Sequence, residues 1–137
     1  MEILFLGTSS MVPTKERNQS GILVSHGSEN ILVDCGEGTQ RQLKIAGVKI
    51  VKITKILISH WHGDHVLGLP GLIQTMSSSG YDKKLRIYGP VGTRKFMKRV
   101  FGAFVFDSKI EIEVKDVKMG KFFENEELML EAHLLEH

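Results

Sequence analysis

Six consecutive residues near the middle of the chain, His60-Trp61-His62-Gly63-Asp64-His65, carry three imidazoles and a carboxylate directly after the apolar run Ile56-Leu57-Ile58. Histidine nitrogen and carboxylate oxygen are ordinary zinc ligands. Within one regular element these side chains would diverge, whereas on a loop leaving a buried strand they can converge. Gly63 suits a sharp bend there, having no Cβ to clash. The donors fall into two pairs, His60 with His62 and Asp64 with His65. Such pairing fits a site with two ions about 3.5–4 Å apart. A solvated histidine-rich loop is the bland alternative. A lone histidine would usually be that; four donors in six positions at a strand's tip are much harder to dismiss.

The surrounding pattern supplies strands and helices to carry such a loop. Ile3–Leu6 is a short apolar run closed by Gly7, and Ile22–Val24 and Ile31–Val33 are two more. Between the latter two, His26-Gly27-Ser28-Glu29-Asn30 reads as a hairpin turn, with His26 solvated. Thr39–Ala46 reads as a helix ended by Gly47. Val66–Met76 reads as a turn and then a helix, and Ser77–Gly80 as a loop. Leu85–Tyr88 is a strand. Thr93–Phe101 is an amphipathic helix whose Arg94, Lys95, Lys98 and Arg99 form a solvated face. Ile110–Val114 alternates as a half-exposed strand, and Leu128–Leu135 is a further strand candidate. Strands first, then mixed helices and strands, give an α/β layered domain.

Length and composition limit the function classes. The chain has 137 residues, 42% hydrophobic and 25% charged, enough for one domain with a real core. A net charge of +2 is too mild to argue nucleic-acid binding unaided. One cysteine, Cys35, excludes an internal disulfide and cannot furnish the thiolate pairs of a zinc finger. No apolar run approaches the roughly 20 residues that cross a bilayer, and the start lacks a basic, long-apolar secretory signal. The expected location is cytoplasmic.

Several single residues carry two readings each. Asp34 stands at the end of an apolar run in Val33-Asp34-Cys35-Gly36-Glu37-Gly38. It either orients the metal-binding loop as a hydrogen-bond acceptor or caps the helix beginning near Thr39. Cys35 is a candidate ligand, but reads better as a small buried filler. Trp61 reads as packing that holds the loop. His133 and His137, four apart, would suit metal binding on a helix, although their surroundings look like strand and loop.

With Asp34 upstream, the His60–His65 pattern resembles the metallo-β-lactamase superfamily. Gly7-Thr8-Ser9-Ser10, Pro13–Asn18, Asp34–Gln40, Ser59–Gly71 and Tyr88-Gly89-Pro90 together resemble its ribonuclease Z branch, endonucleases that trim the 3′ trailer from precursor tRNA. The resemblance runs from residue 7 to the last. It implies the N-terminal half of an αββα sandwich, with residues 1–137 forming one truncated domain. It implies two zinc ions, one on His60, His62 and His137, the other on Asp64 and His65. Asp64 would also accept a proton from the attacking water, and Lys15 and Arg17 would contact RNA phosphates; without the resemblance those two read as an ordinary charged loop. Leu135-Glu136-His137 also has the look of a purification-tag scar, which would make the His137 role accidental. The family's bridging aspartate, final histidine ligand, leaving-group histidine loop and tRNA-gripping arm have no counterpart in 137 residues. The chain alone is therefore expected to bind zinc weakly, cleave poorly, and pair with another copy or with the missing half. The competing readings are a hydrolase of small phosphodiesters or sulfate esters, and a structural subunit completed by a partner.

Overall fold

A computed structural model describes residues 1–136. Six strands form one sheet in the order of the chain: β1 Glu2–Gly7, β2 Gly21–His26, β3 Glu29–Val33, β4 Lys55–Leu57, β5 Lys84–Pro90 and β6 Glu111–Val117. The first three pair antiparallel, and β3 to β6 run parallel. Parallel neighbours need crossovers, and here these are α1 Thr39–Ile45, then α2 Gly63–Val66 with α3 Leu69–Ser78, then α4 Thr93–Gly102. Right-handed crossovers that always step in one direction put every helix on one face of the sheet.

The registers define that face. Leu4, Leu23, Leu32, Ile56, Ile87 and Val114 line up across the six strands and join a single apolar cluster with Leu43, Leu72, Ile73, Met76 and Met97 from the helices. Helix α3 buries Leu69, Leu72, Ile73 and Met76, the i, i+3, i+4, i+7 stripe of an amphipathic helix. Its Pro70 sits in the first turn, where the missing N–H costs no helical bond.

The opposite face carries Ile3, Phe5, Ile22, Val24, Ile31, Val33, Lys55, Leu57, Arg86 and Tyr88. A separate hairpin, β7 Gly120–Glu124 with β8 Met129–Ala132, closes over its β4–β5 portion. There Phe122 lies 5.1 Å from the Tyr88 ring, and the Lys55 ammonium sits 4.1 Å over Phe123. Lys55 is 1% exposed and pairs with Glu29, which also takes hydrogen bonds from Thr54 and from Asn125 at the hairpin's turn. On the β1–β2 side none of the described residues closes this face: Ile3 is 54% and Phe5 64% exposed.

Several expectations need adjustment. The β2–β3 turn is only Gly27-Ser28; His26, Glu29 and Asn30 belong to the strands, and His26 is half-buried rather than solvated. Ser77 and Ser78 extend α3 instead of forming a loop. Strand β7 escapes the alternation test because its register slips between Lys121 and Phe123, breaking the period of two. The final strand is confined to Met129–Ala132.

Candidate metal centre

Every donor of the motif leaves the C-terminal end of a parallel strand, where open α/β sheets hold their ligands. Asp34 follows β3 directly, with φ 58°, a left-handed conformation few non-glycine residues adopt. Its surroundings over-determine it. Asp34 Oδ1 accepts the Ser59 backbone N–H at 2.8 Å, and Oδ2 accepts the Ser59 hydroxyl at 2.9 Å and the Ser20 hydroxyl at 3.4 Å. The same Oδ2 lies 2.6 Å from His65 Nδ1. The capping reading fails, since α1 is preceded by Gly38 with no side-chain cap.

The donor segment is held by backbone as much as by side chains. Cys35 N–H donates to the His65 carbonyl at 2.8 Å, and Gly68 N–H returns to the Cys35 carbonyl at 2.9 Å. This close approach excludes side chains: a Cβ on Gly36 would press into the Asp64 carbonyl, and one on Gly68 into the Gly36 carbonyl. Gly63 acts otherwise than expected. It lacks a positive φ and is simply the first residue of the short helix α2, which carries Asp64 and His65. A helical turn, not a loop bend, sets those two side by side.

The donors stand as two pairs. His60 Nε2 is 3.0 Å from His62 Nδ1, with the rings edge to face at 4.6 Å. His65 Nε2 is 3.3 Å from Asp64 Oδ2, and the His60 and His65 ring centres are 4.1 Å apart. Among the described residues, no three His, Cys, Asp or Glu side chains are arranged to hold one ion. The donors do fit cations in pairs. His65 Nδ1 faces Asp34 and its Nε2 faces the Asp64 carboxylate, so with the ring proton on Nδ1 the pair would offer a cation two acceptors. Asp64 Oδ1 is buried and has no hydrogen-bond partner among the described residues. A buried carboxylate oxygen left alone is costly.

The remaining candidates divide. Cys35 is fully buried, and burial pushes its thiol up to about 12, so it stays protonated and is packing, not ligand. Trp61 donates to the Thr93 hydroxyl at 2.8 Å and stacks 5.2 Å from Phe96, fixing the loop to α4. Arg94, Lys95, Lys98 and Arg99 are exposed, as a solvated face should be. His133 is exposed and pairs with Glu131 at 3.2 Å; His137 lies outside the described residues. Lys15 and Arg17 are exposed on a loop closed by Thr14, whose hydroxyl accepts the Arg17 N–H at 2.9 Å.

Two residues matter more here than their letters suggest. Gln19, 4% exposed, donates to the Met11 carbonyl and accepts from the Glu37 N–H, while Asn18 donates to the Glu37 carbonyl at 2.7 Å. They clamp the Lys15–Arg17 loop onto the turn that also contacts the α2 backbone. Ser59 joins Asp34 to the histidines. Its sequence signals were its place between strand and first histidine and its membership of the Ser59–Gly71 stretch; Gln19 had none.

An open sheet with helices on one face, and histidine and carboxylate side chains gathered at the ends of its parallel strands, defines the metallo-β-lactamase fold. The metallo-β-lactamase-fold protein YhfI from Bacillus subtilis superposes with a TM-score of 0.70 over 89% of this chain and 49% of that one, at 23% identity. More narrowly, the chain belongs to the family described as Anti-Pycsar protein Apyc1, whose family model matches residues 1–131. It is also a homologue of ribonuclease Z. The Methanosarcina acetivorans enzyme is 42% identical over 137 residues, covering 100% of this chain and 45% of that protein. Human tRNase Z, short form, has a TM-score of 0.78 and 40% identity over 85% of this chain and 44% of that one. The chain thus spans less than half the length of the curated relatives it matches, 41% to 45% of the first three.

Proposed function

We propose that this protein provides part of a zinc-dependent endoribonuclease that removes the 3′ trailer from precursor tRNA. The observation that carries the reading is 42% identity to a ribonuclease Z along the whole chain. The donor pairs and the orphaned Asp64 oxygen support it. In this reading residues 1–137 make one metallo-β-lactamase-like domain that spans less than half of the relatives' length.

His60 and His62, with His137, would hold one zinc, and Asp64 and His65 the other. Zinc in such sites supplies Lewis acidity, lowering the pKa of bound water and neutralising charge on phosphoryl oxygens. Asp64, fixed by the α2 turn, accepts the proton of the attacking water at its carboxylate. Asp34 holds His65 by its Nδ1–H and so keeps the Nε2 lone pair turned to the metal side. Lys15 and Arg17, on a loop clamped by Asn18 and Gln19, bind RNA phosphates, which supply most nucleic-acid affinity. That substrate fits a cytoplasmic location; among the described residues no helix is long and apolar enough to cross a membrane.

The open face with Ile3 and Phe5 supports association with a partner, either a second copy or a polypeptide matching the relatives' remaining length. With only Asp64 and His65 to hold it, the second ion leaves much of its coordination shell to water, so the chain alone binds zinc weakly. The test is cleavage of a precursor tRNA bearing a 3′ trailer, with and without that added polypeptide. Restored cleavage at the trailer supports the reading; no cleavage in either case, with zinc bound, rejects it.

One observation favours a second reading. The family model that matches residues 1–131 is that of Anti-Pycsar protein Apyc1, a description different from ribonuclease Z. A hydrolase of small phosphodiesters or sulfate esters would use the same donors. Competition separates the two, because only the ribonuclease is inhibited far better by trailer-bearing tRNA than by a small diester.

A further inference from the structure

We propose that Ser59 is a positioning residue that fixes the tautomer of His60, so that the single carboxylate of Asp34 sets one histidine in each donor pair. The metal reading gives this its consequence, but the proton arrangement itself needs no metal.

The argument is a count of protons. An ionised carboxylate only accepts hydrogen bonds, and a serine hydroxyl has one proton to give. Ser59 Oγ lies 2.9 Å from Asp34 Oδ2 and 3.0 Å from His60 Nδ1. If Ser59 gave its proton to His60, two lone-pair oxygens would face each other at 2.9 Å. The arrangement without such a clash sends the Ser59 proton to Asp34. Ser59 must then accept from His60, so His60 carries its proton on Nδ1. Its lone pair falls on Nε2, the atom that faces His62 Nδ1 at 3.0 Å.

His65 reaches the same state by a shorter route, donating from Nδ1 to Asp34 Oδ2 at 2.6 Å. The order is therefore His60 to Ser59 to Asp34 on one side and His65 to Asp34 on the other. Asp34 is itself pinned by the Ser59 backbone N–H and by its left-handed backbone. The residue next to the first histidine is thus a relay. Threonine can replace it; alanine cannot.

Two-bond 1H–15N correlation spectra of the zinc-free full chain read the tautomers directly, with His60→Gln supplying the assignment. In the unmodified protein, His60 and His65 should both be Nδ1–H. In Ser59→Ala, His60 should shift towards Nε2–H while His65 stays; Ser59→Thr should match the unmodified protein. Zinc titration against a chelator should show about 10- to 100-fold weaker binding by Ser59→Ala, the usual effect of losing a hydrogen bond behind a ligand. An Nε2–H His60 in the unmodified protein overturns the proposal, and so does a His60 signal or zinc affinity unchanged by Ser59→Ala. If the alanine variant does not fold, the unmodified and threonine spectra decide alone. Failure of the ribonuclease reading would show in RNA cleavage and leave these spectra untouched.

Discussion

The two faces of the six-stranded sheet come from the same strands, yet one is sealed and the other is only half covered. On the helix side Leu32, Ile56 and Ile87 are fully buried, because each crossover lays an apolar stripe over them. On the other side β7–β8 covers Lys55 and Tyr88, while Ile3 and Phe5 stay more than half exposed. The candidate donors follow β4, and Asp34, which holds His65, follows β3; both are central strands sealed on the helix side. The sealed face explains why the site can be organised within this chain, and the open one leaves Ile3 and Phe5 to solvent.

The contrast can be broken most sharply at Lys55. Its ammonium is buried against Glu29, so Lys55→Met leaves a buried carboxylate without its cation and should cost about 3–5 kcal/mol in denaturant unfolding. A loss under 1 kcal/mol would mean that the hairpin does not close this part of the face. On the sealed face Ile87→Ala should cost about 2–5 kcal/mol by cavity formation. At the site, Asp34→Asn keeps the shape and tolerates the positive φ, but loses the ionised acceptor for His65 and Ser59. Zinc affinity by chelator competition should fall about 10- to 100-fold. On the open side Phe5→Ser should change unfolding stability of the monomer by no more than about 0.5 kcal/mol, the range of surface substitutions, while weakening any self-association seen by ultracentrifugation. An unfolding cost near that of Ile87→Ala would show that the open face is closed in solution.

The smallest effect is in pH. Burial alone would raise Glu29, but hydrogen bonds from Lys55 and Thr54, the Lys55 charge and Asn125 outweigh it, and the carboxyl is held below its ordinary value. A depressed carboxyl contributes stability above the unfolded-state value and loses it as pH falls through the folded one. Unfolding measured down an acid series should therefore weaken through this window. Glu29→Gln should flatten that limb; an unchanged limb would remove Glu29 from the account.

Much of this was readable in the letters, for definable reasons. Short apolar runs gave β1 to β5, and the stripe through Met97 gave α4, because burial on one side imposes a period. The bulge in β7 destroyed that period, so Phe122 and Phe123 looked like nothing in particular. Gly63 invited a bend that a single helical turn replaced, since both shorten the distance between neighbours. Asp34 had two equal readings until Gly38 was found uncapped and the carboxylate was found against His65 and Ser59.

The sequence by itself determined the donor types, their spacing and the strand that delivers them, because these are local properties of adjacent residues. Only the tertiary structure decided which donors face each other, which histidine nitrogen faces Asp34 and which half of the sheet stays open. Those depend on groups distant in the chain, such as Asp34 and His65, 31 positions apart and brought within 2.6 Å by parallel pairing that no local pattern encodes.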